Sequence, residues 1–298
     1  MLKIVIIEEL LTGRPNELFR EALCFQRAFS RKGIIADVFD PKVDTAFWKK
    51  INEYDIILIL QNYDLRLLDS TALINAPGYK VFWSIDSHKA AEDHKNFCLG
   101  INADHVLVSS LTYLGVYLNT GLEASWCPNC YPADLIHPSL PSGKVSVKND
   151  VGFCGSVGNR GEWIKGIADR FDMCLAINIL GKEMVSAIRS FKVHWNRNEA
   201  DDINGRTFET MGAGTCLLTN KTPGISKLFE DGKHLVLYET MEECFCKLKE
   251  LLDDENKRLL IGINGFSIVR ALHTYDNRVD RIIDLYTSSK EKKCQPSD

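Results

Sequence analysis

Residues 204–219 read NGRTFETMGAGTCLLT: an arginine and a glutamate three apart, then Gly-Ala-Gly, then a short apolar run. Read with the KVHWN that precedes it (192–196), the stretch is strand, helix, glycine turn and buried strand, the parts of a βαβ unit. The rhythm extends in both directions. Upstream stand DVGFCGS (150–156), EWIKGIADRF (162–171), MCLAINI (173–179) and KEMVSAIRSF (182–191). Downstream come ISKLFE, HLVLYE and three further helical stretches ending near residue 290. The first half repeats it, with KIVII, IIADVFD, YDIILIL, KVFWSID and DHVLVSS as strands between helical segments. Continuous apolar strands separated by helices predict a parallel sheet covered on both faces.

Residues 127–150 break the rhythm, with Pro128, Pro132, Pro138 and Pro141 ahead of SGKVSVKND. This is the linker reading. The expected architecture is therefore α/β, with two Rossmann-like doubly wound domains facing a cleft. They span residues 1–140 and 150–286, and 287–298 reads as a frayed tail.

Length and composition agree with two domains: 298 residues, 45% hydrophobic and 26% charged. The longest apolar runs, IVII and IILIL, are strand-sized and far short of a membrane span, so no transmembrane segment is expected. A net charge of −4 offers no basic footprint for a nucleic-acid backbone, and no nucleic-acid partner is expected. The start, MLKIVIIEELL, lacks a signal-peptide pattern, and ten cysteines without one point to a reducing, cytoplasmic setting. The pair in CPNC (127–130) has no second pair or histidine cluster, so neither zinc nor a disulfide is expected there.

Ligands of open parallel sheets sit outside the carboxyl ends of the strands, so the loops after strands hold the candidates. Gly155, Gly158 and Gly161 do not have the dinucleotide spacing, which removes the best support for NAD. Their turn still feeds a helix N-terminus suited to phosphate, with Arg160 either adding a charged contact or simply solvated. Arg206 and Glu209 fall on one side of the first helical turn. A glutamate there is favoured by the helix dipole, and it can also accept from the vicinal hydroxyls of a ribose. In the first half, Asp86 and His88 follow KVFWSI at a strand end, where a histidine could take a proton from an acceptor hydroxyl or merely begin the next helix.

The stretch RTFETMGAGTCLLTNKTPGISKLFEDGKHLVLYE and the later HTYDNR resemble the C-terminal half of group 1 glycosyltransferases of GT-B fold, in particular the spore-maturation-protein (CgeB-like) branch. DVGFCGSVGNR is similar to the loop that opens the same domain, and WSIDSHKA resembles a segment of the first. The likeness is strong over 151–286 and thin over 1–80. It implies a metal-independent glycosyltransferase that moves a sugar from a nucleotide-diphosphate sugar, UDP- or GDP-linked, to a glycan, lipid-linked or protein acceptor, with no other cofactor. By the same resemblance Glu209 binds the ribose and Asp201 stands eight positions earlier, where related enzymes carry an acidic residue near the donor sugar. Gly155, Ser156 and Arg160 lie near the diphosphate with Arg206 as a further candidate, and Gly212, Gly214 and Thr215 line the donor pocket. Asp86 and His88 then belong to the acceptor side. The alternative is a GT-B-like module that binds a nucleotide or glycan without turnover.

Overall fold

The computed structural model describes residues 2–10, 17–61, 64–138 and 147–294. They form two compact units, Met1–Pro128 with Tyr275–Asp298, and Asn129–Thr274.

The first unit runs β1 (Ile4–Ile7), α1 (Glu21–Arg31), β2 (Ala36–Phe39), β3 (Ile56–Leu60), α2 (Ser70–Asn75), β4 (Tyr79–Ser84), α3 (Ser87–Gly100), β5 (His105–Val108), α4 (Leu114–Leu118) and β6 (Ala124–Trp126). Its six strands pair in parallel in the order β2-β1-β3-β4-β5-β6. The side chains of β1 and β3 are buried throughout, which is why these strands read as unbroken Ile, Val and Leu.

The second unit runs β7 (Asn149–Gly155), α5 (Gly161–Ala168), β8 (Met173–Ile177), α6 (Gly181–Arg189), β9 (Phe191–Trp195), α7 (Gly205–Gly212), β10 (Cys216–Asn220), α8 (Ile225–Leu228), β11 (Val236–Tyr238), α9 (Met241–Asp253) and α10 (Glu255–Leu272). Its five strands are also parallel, in the order β11-β10-β9-β7-β8. Val151, Phe153, Val193, Trp195, Leu218 and Tyr238 form one buried core with α5 and α9.

Three boundaries differ from the sequence reading. The change of unit falls at Pro128/Asn129, well before residue 140. Within the supposed linker, Tyr131, Ala133 and Ile136 are buried, and Tyr131 N–H donates to the His273 carbonyl at 3.1 Å. The prolines there bend a packed segment; the part of the linker at 139–146 lies outside the described residues. The last helix, α11 (Tyr275–Cys294), belongs to the first unit and not to the second. It is clamped onto α1 by a bidentate Arg31–Asp276 pair at 2.8 and 2.9 Å and by the Tyr275 ring set edge-on to Phe25. Residues 287–294 continue this helix and are not frayed, while 295–298 lie outside the described residues. Strand β6 was not anticipated, because three half-buried residues at a sheet edge carry too little apolar signal. No helix among the described residues is long and apolar enough to cross a membrane.

Candidate functional site

Where strand order reverses in a parallel sheet, the loops after two neighbouring strands run apart and leave a crevice at their carboxyl ends. In the second unit the reversal lies between β7 and β9. The loop after β7 carries Gly155, Ser156 and Arg160, and the loop after β9 leads into α7 with Arg206 and Glu209.

The two strands part at this end. Their pairing stops at Gly152 opposite His194, and beyond it the Cys154 amide donates to His194 Nε2 at 3.1 Å. An amide can only donate, so Nε2 is the acceptor and Nδ1 carries the proton. Nδ1 donates to Thr210 Oγ1 at 2.6 Å, and Thr210 donates to the Arg206 carbonyl at 2.7 Å. Burial drives the His194 pKa down to about 3, so the ring is neutral. One buried imidazole thus spaces the end of β7 from the first turn of α7.

The loop between β9 and α7 is held by a buried amide network. Asn204 caps α7 by accepting from Thr207 N–H at 3.2 Å, and its own N–H donates to Asn198 Oδ1 at 3.0 Å. Asn198 N–H donates to Asn220 Oδ1 at 2.6 Å, and Asn198 Nδ2 to Thr219 Oγ1 at 3.2 Å. Inside this loop Ala200 and Asp201 both adopt left-handed backbone, at φ 46° and 62°. For residues with a Cβ that conformation costs about 1–2 kcal/mol each, and it persists because the surrounding bonds over-determine it. Asp201 is exposed on the strained turn.

Arg206 Nη1 and Glu209 Oε2 form an ion pair at 2.7 Å, with side chains 16% and 19% exposed. Nη1 also contacts Met184 Sδ, and among the described residues the buried Nε has no partner and Glu209 Oε1 makes no hydrogen bond. Asn204 takes the Thr207 amide, so the amides of Gly205 and Arg206 are left as the orphan donors of this helix end. Both charges act on the Cys154 thiol beside Gly155, whose pKa burial raises, with Arg206 opposing and Glu209 reinforcing. The pair therefore lies close to the carboxyl end of β7.

Arg160 is buried and not solvated. Its Nε donates to the Arg197 carbonyl at 2.8 Å and its Nη1 to the Ser156 carbonyl at 3.1 Å, with Glu199 at 2.8 Å. It braces the Gly155 loop against the β9 loop. Gly155 and Gly158 take φ of 155° and 47°, and a Cβ on Gly158 would stand 3.0 Å from Glu199.

Gly212, Gly214 and Thr215 lie elsewhere. They close α7 and enter β10 from its amino end, whereas Arg206 opens the same helix. A Cβ on Gly212 would fall 2.9 Å from Tyr131 Cζ and closer still to Cδ2 and Cε2. A Cβ on Gly214, at φ 76°, would meet Pro138 at 2.9 Å. Thr215 Oγ1 donates to the Ile188 carbonyl at 3.1 Å. These three serve close packing at the far edge of the sheet, and the expectation that they line a pocket with Glu209 is corrected.

In the first unit the reversal lies between β1 and β3. Here the buried Glu8 carboxylate caps α1, accepting from Ala22 N–H at 2.7 Å and pairing with Arg20. Asp86 and His88 open α3: the Asp86 amide donates to Gln61 Oε1, its carboxylate pairs with Lys89 at 2.9 Å, and His88 is half-buried. His273 packs between Phe208 and Phe229, centroids 5.3 and 5.4 Å away. Cys127 and Cys130 are buried, and burial raises the Cys127 pKa, disfavouring the thiolate a metal needs. The His194 relay and the asparagine network were missed; the clustering of Asn196, Asn198 and Asn204 around one strand end was the available signal.

Residues 153–284 match the family model described as glycosyl transferase-like. No curated protein matches the chain. Among solved structures, HepE of Anabaena in complex with UDP and glucose aligns at TM-score 0.70 and 14% identity, over 97% of this chain and 100% of that one. Sucrose-phosphate synthase from Thermosynechococcus elongatus aligns at 0.69 and 12%, over 98% and 100%. AviGT4, a glycosyltransferase of avilamycin A biosynthesis, aligns at 0.66 and 9%, over 96% and 97%. The match across the second unit and the pair of parallel-sheet units together make the chain an enzyme of the glycosyltransferase class, built on the GT-B fold.

Proposed function

We propose that the chain transfers a sugar from a nucleoside-diphosphate sugar held in the crevice between β7 and β9. The observation that carries this is the meeting of the Gly155 loop with the Arg206–Glu209 pair at the open end of α7. Glu209 keeps Oε2 on Arg206 and offers Oε1 to the ribose hydroxyls. The free amides of Gly205 and Arg206, with the Arg206 guanidinium, face the diphosphate. When the bond from the anomeric carbon to the diphosphate oxygen breaks, these donors stabilise the charge that develops on the leaving group, without a divalent cation. Among the described residues of the first unit, the corresponding helix end is already taken, since Glu8 caps α1. His88, in the first turn of α3, is the proposed recipient of the acceptor's hydroxyl proton, and Asp86 stands beside it. HepE was solved with UDP and with UDP-glucose, which favours UDP over GDP as the first probe. The CgeB-like branch is the proposed subfamily, and a reducing cytoplasm is the proposed setting of this cysteine-rich chain.

Titration calorimetry with UDP and GDP tests this. Charged hydrogen bonds contribute about 1.5–3 kcal/mol, so Glu209→Gln should weaken the cognate nucleotide by roughly one to two decades. Turnover in excess EDTA should match that without it. Unchanged affinity in Glu209→Gln, or activity abolished by EDTA, would refute the corresponding part of the reading.

A further inference from the structure

His194 stands at the end of β9 with each ring nitrogen turned to a different element of the second unit. Nε2 accepts from the Cys154 amide of β7 at 3.1 Å, and Nδ1 donates to Thr210 Oγ1 of α7 at 2.6 Å. Thr210 Oγ1 carries the contact on to the Arg206 carbonyl at 2.7 Å. Both partners are chain neighbours of the proposed donor site: Cys154 precedes Gly155, and Thr210 follows Glu209. The imidazole, Cys154 and Thr210 are all buried.

The ring is itself held in place. Gly152 lies opposite His194 in the strand pairing and has no side chain; a Cβ there would collide with the ring of Phe191. The Phe191 ring, seated over that glycine, packs against the imidazole with centroids 5.7 Å apart. Because burial keeps the imidazole neutral, it offers one acceptor and one donor at a separation fixed by the ring. Other side chains cannot copy this. An aliphatic one would leave the buried Cys154 amide unpaired, an asparagine amide reaches only the Nδ1 side, and a glutamine amide reaches only the Nε2 side.

From this geometry we infer that His194 is a positioning residue: it sets the separation between the Gly155 loop and the first turn of α7, and with it the span across which a diphosphate is held. The inference rests on the donor reading under Proposed function. In that reading a nucleoside meets Glu209 through its ribose and does not sense the span, whereas a diphosphate bridges the two sides of the crevice and does. His194 touches no ligand itself, because it is 0% exposed and both nitrogens are engaged; it acts through Cys154 and Thr210.

The test compares the dissociation constants of UDP and uridine, and of GDP and guanosine, on the full chain by calorimetry and NMR shift titration. His194→Gln and Thr210→Val each cut the link to α7, and His194→Asn cuts the link to β7. In each folded variant the diphosphate that the wild type binds should weaken roughly 3- to 10-fold, as for the loss of one hydrogen bond, while its nucleoside binds as before. The double variant His194→Gln/Thr210→Val should lose no more than either single one, since both break the same link. Thr210→Ser keeps the hydroxyl and should bind like the wild type. Should the His194 variants not fold, Thr210→Val and Thr210→Ser decide the matter, valine having the shape of threonine. Unchanged diphosphate affinity in the folded variants, equal losses for diphosphate and nucleoside, or an additive double variant would overturn the spacing role and leave the donor reading standing. A wild type that binds neither UDP nor GDP refutes the donor reading and this inference with it.

Discussion

Replacing Gly212 by alanine puts the packing role of the Gly-Ala-Gly turn to a quantitative test. The new Cβ would stand 2.9 Å from Tyr131 Cζ and nearer to two other ring atoms, where carbon atoms normally rest at about 3.5–4.0 Å. The ring must therefore withdraw by about 1 Å. It has little room, since Tyr131 is fully buried and its backbone is tied to His273 and Thr274. Overpacking of this kind costs about 1–3 kcal/mol, and the tight contact argues for the upper half. Against it stands the helix-propensity gain of alanine over glycine, about 1 kcal/mol in a helix interior and less at this terminal position. The net expectation is a loss of about 1–2 kcal/mol, or roughly 3–8 °C in Tm. Urea melts of Gly212→Ala, Tyr131→Leu and the double variant would measure it, because the smaller side chain frees the space and the two effects should couple. UDP affinity of folded Gly212→Ala should equal that of the wild type. Intact stability with lost nucleotide affinity would refute the packing argument and return Gly212 to the binding site.

His194, His94 and His105 are buried with pKa values pushed down to about 3, 4 and 4. The unfolded chain binds their protons below about 6.5 while the fold does not, so stability rises with pH and is lost as pH falls from 6.5 toward those values. At pH 5 each should cost about 2 kcal/mol relative to pH 7, and a flat stability profile between pH 7 and 5 would contradict the assignment. Ala200→Gly removes a left-handed strain of about 1–2 kcal/mol against a glycine entropy of about 0.5–1, so a chemical melt should show a gain of about 0.5–1 kcal/mol. A destabilised Ala200→Gly would mean that the alanine methyl group packs productively. Metal analysis of the purified protein should find no zinc at the buried Cys127–Cys130 pair, and stoichiometric zinc there would disprove that prediction.

Much of the fold was legible because both sheets are covered on two faces, so that IVII, IILIL and CLLT appear as unbroken apolar strands whose number and order follow from the rhythm. Strand β6 was hidden because an edge strand needs no such run. The return of α11 was hidden for another reason: its partners, Phe25 and Arg31, lie at the opposite end of the chain, and a helix pattern does not name what it packs against. The same divide runs through the candidate site. Arg206, Glu209 and the Gly155 loop could be picked out because carboxyl ends of strands are local landmarks. Gly212 was misplaced because its reason for being glycine is the ring of Tyr131, far away in sequence. His94 was not singled out, since its partner Ser84 stands on a strand and is bound in turn by Tyr117 on another helix.

The clamp of α11 on α1 has a consequence for how the protein is made. The first unit is begun by the opening residues but completed by the last helix, while the second is one uninterrupted stretch of chain. During synthesis at about 5–20 residues per second, α1 waits for roughly 12–50 s with the face meant for α11 uncovered. The second unit is complete before α11 leaves the ribosome, so it can fold first, and the earlier-made half closes last. That interval is when Phe25 and its neighbours are open to wrong partners, and chaperone dependence of expression should track substitutions at the α1–α11 contact more closely than equally destabilising ones inside the second unit.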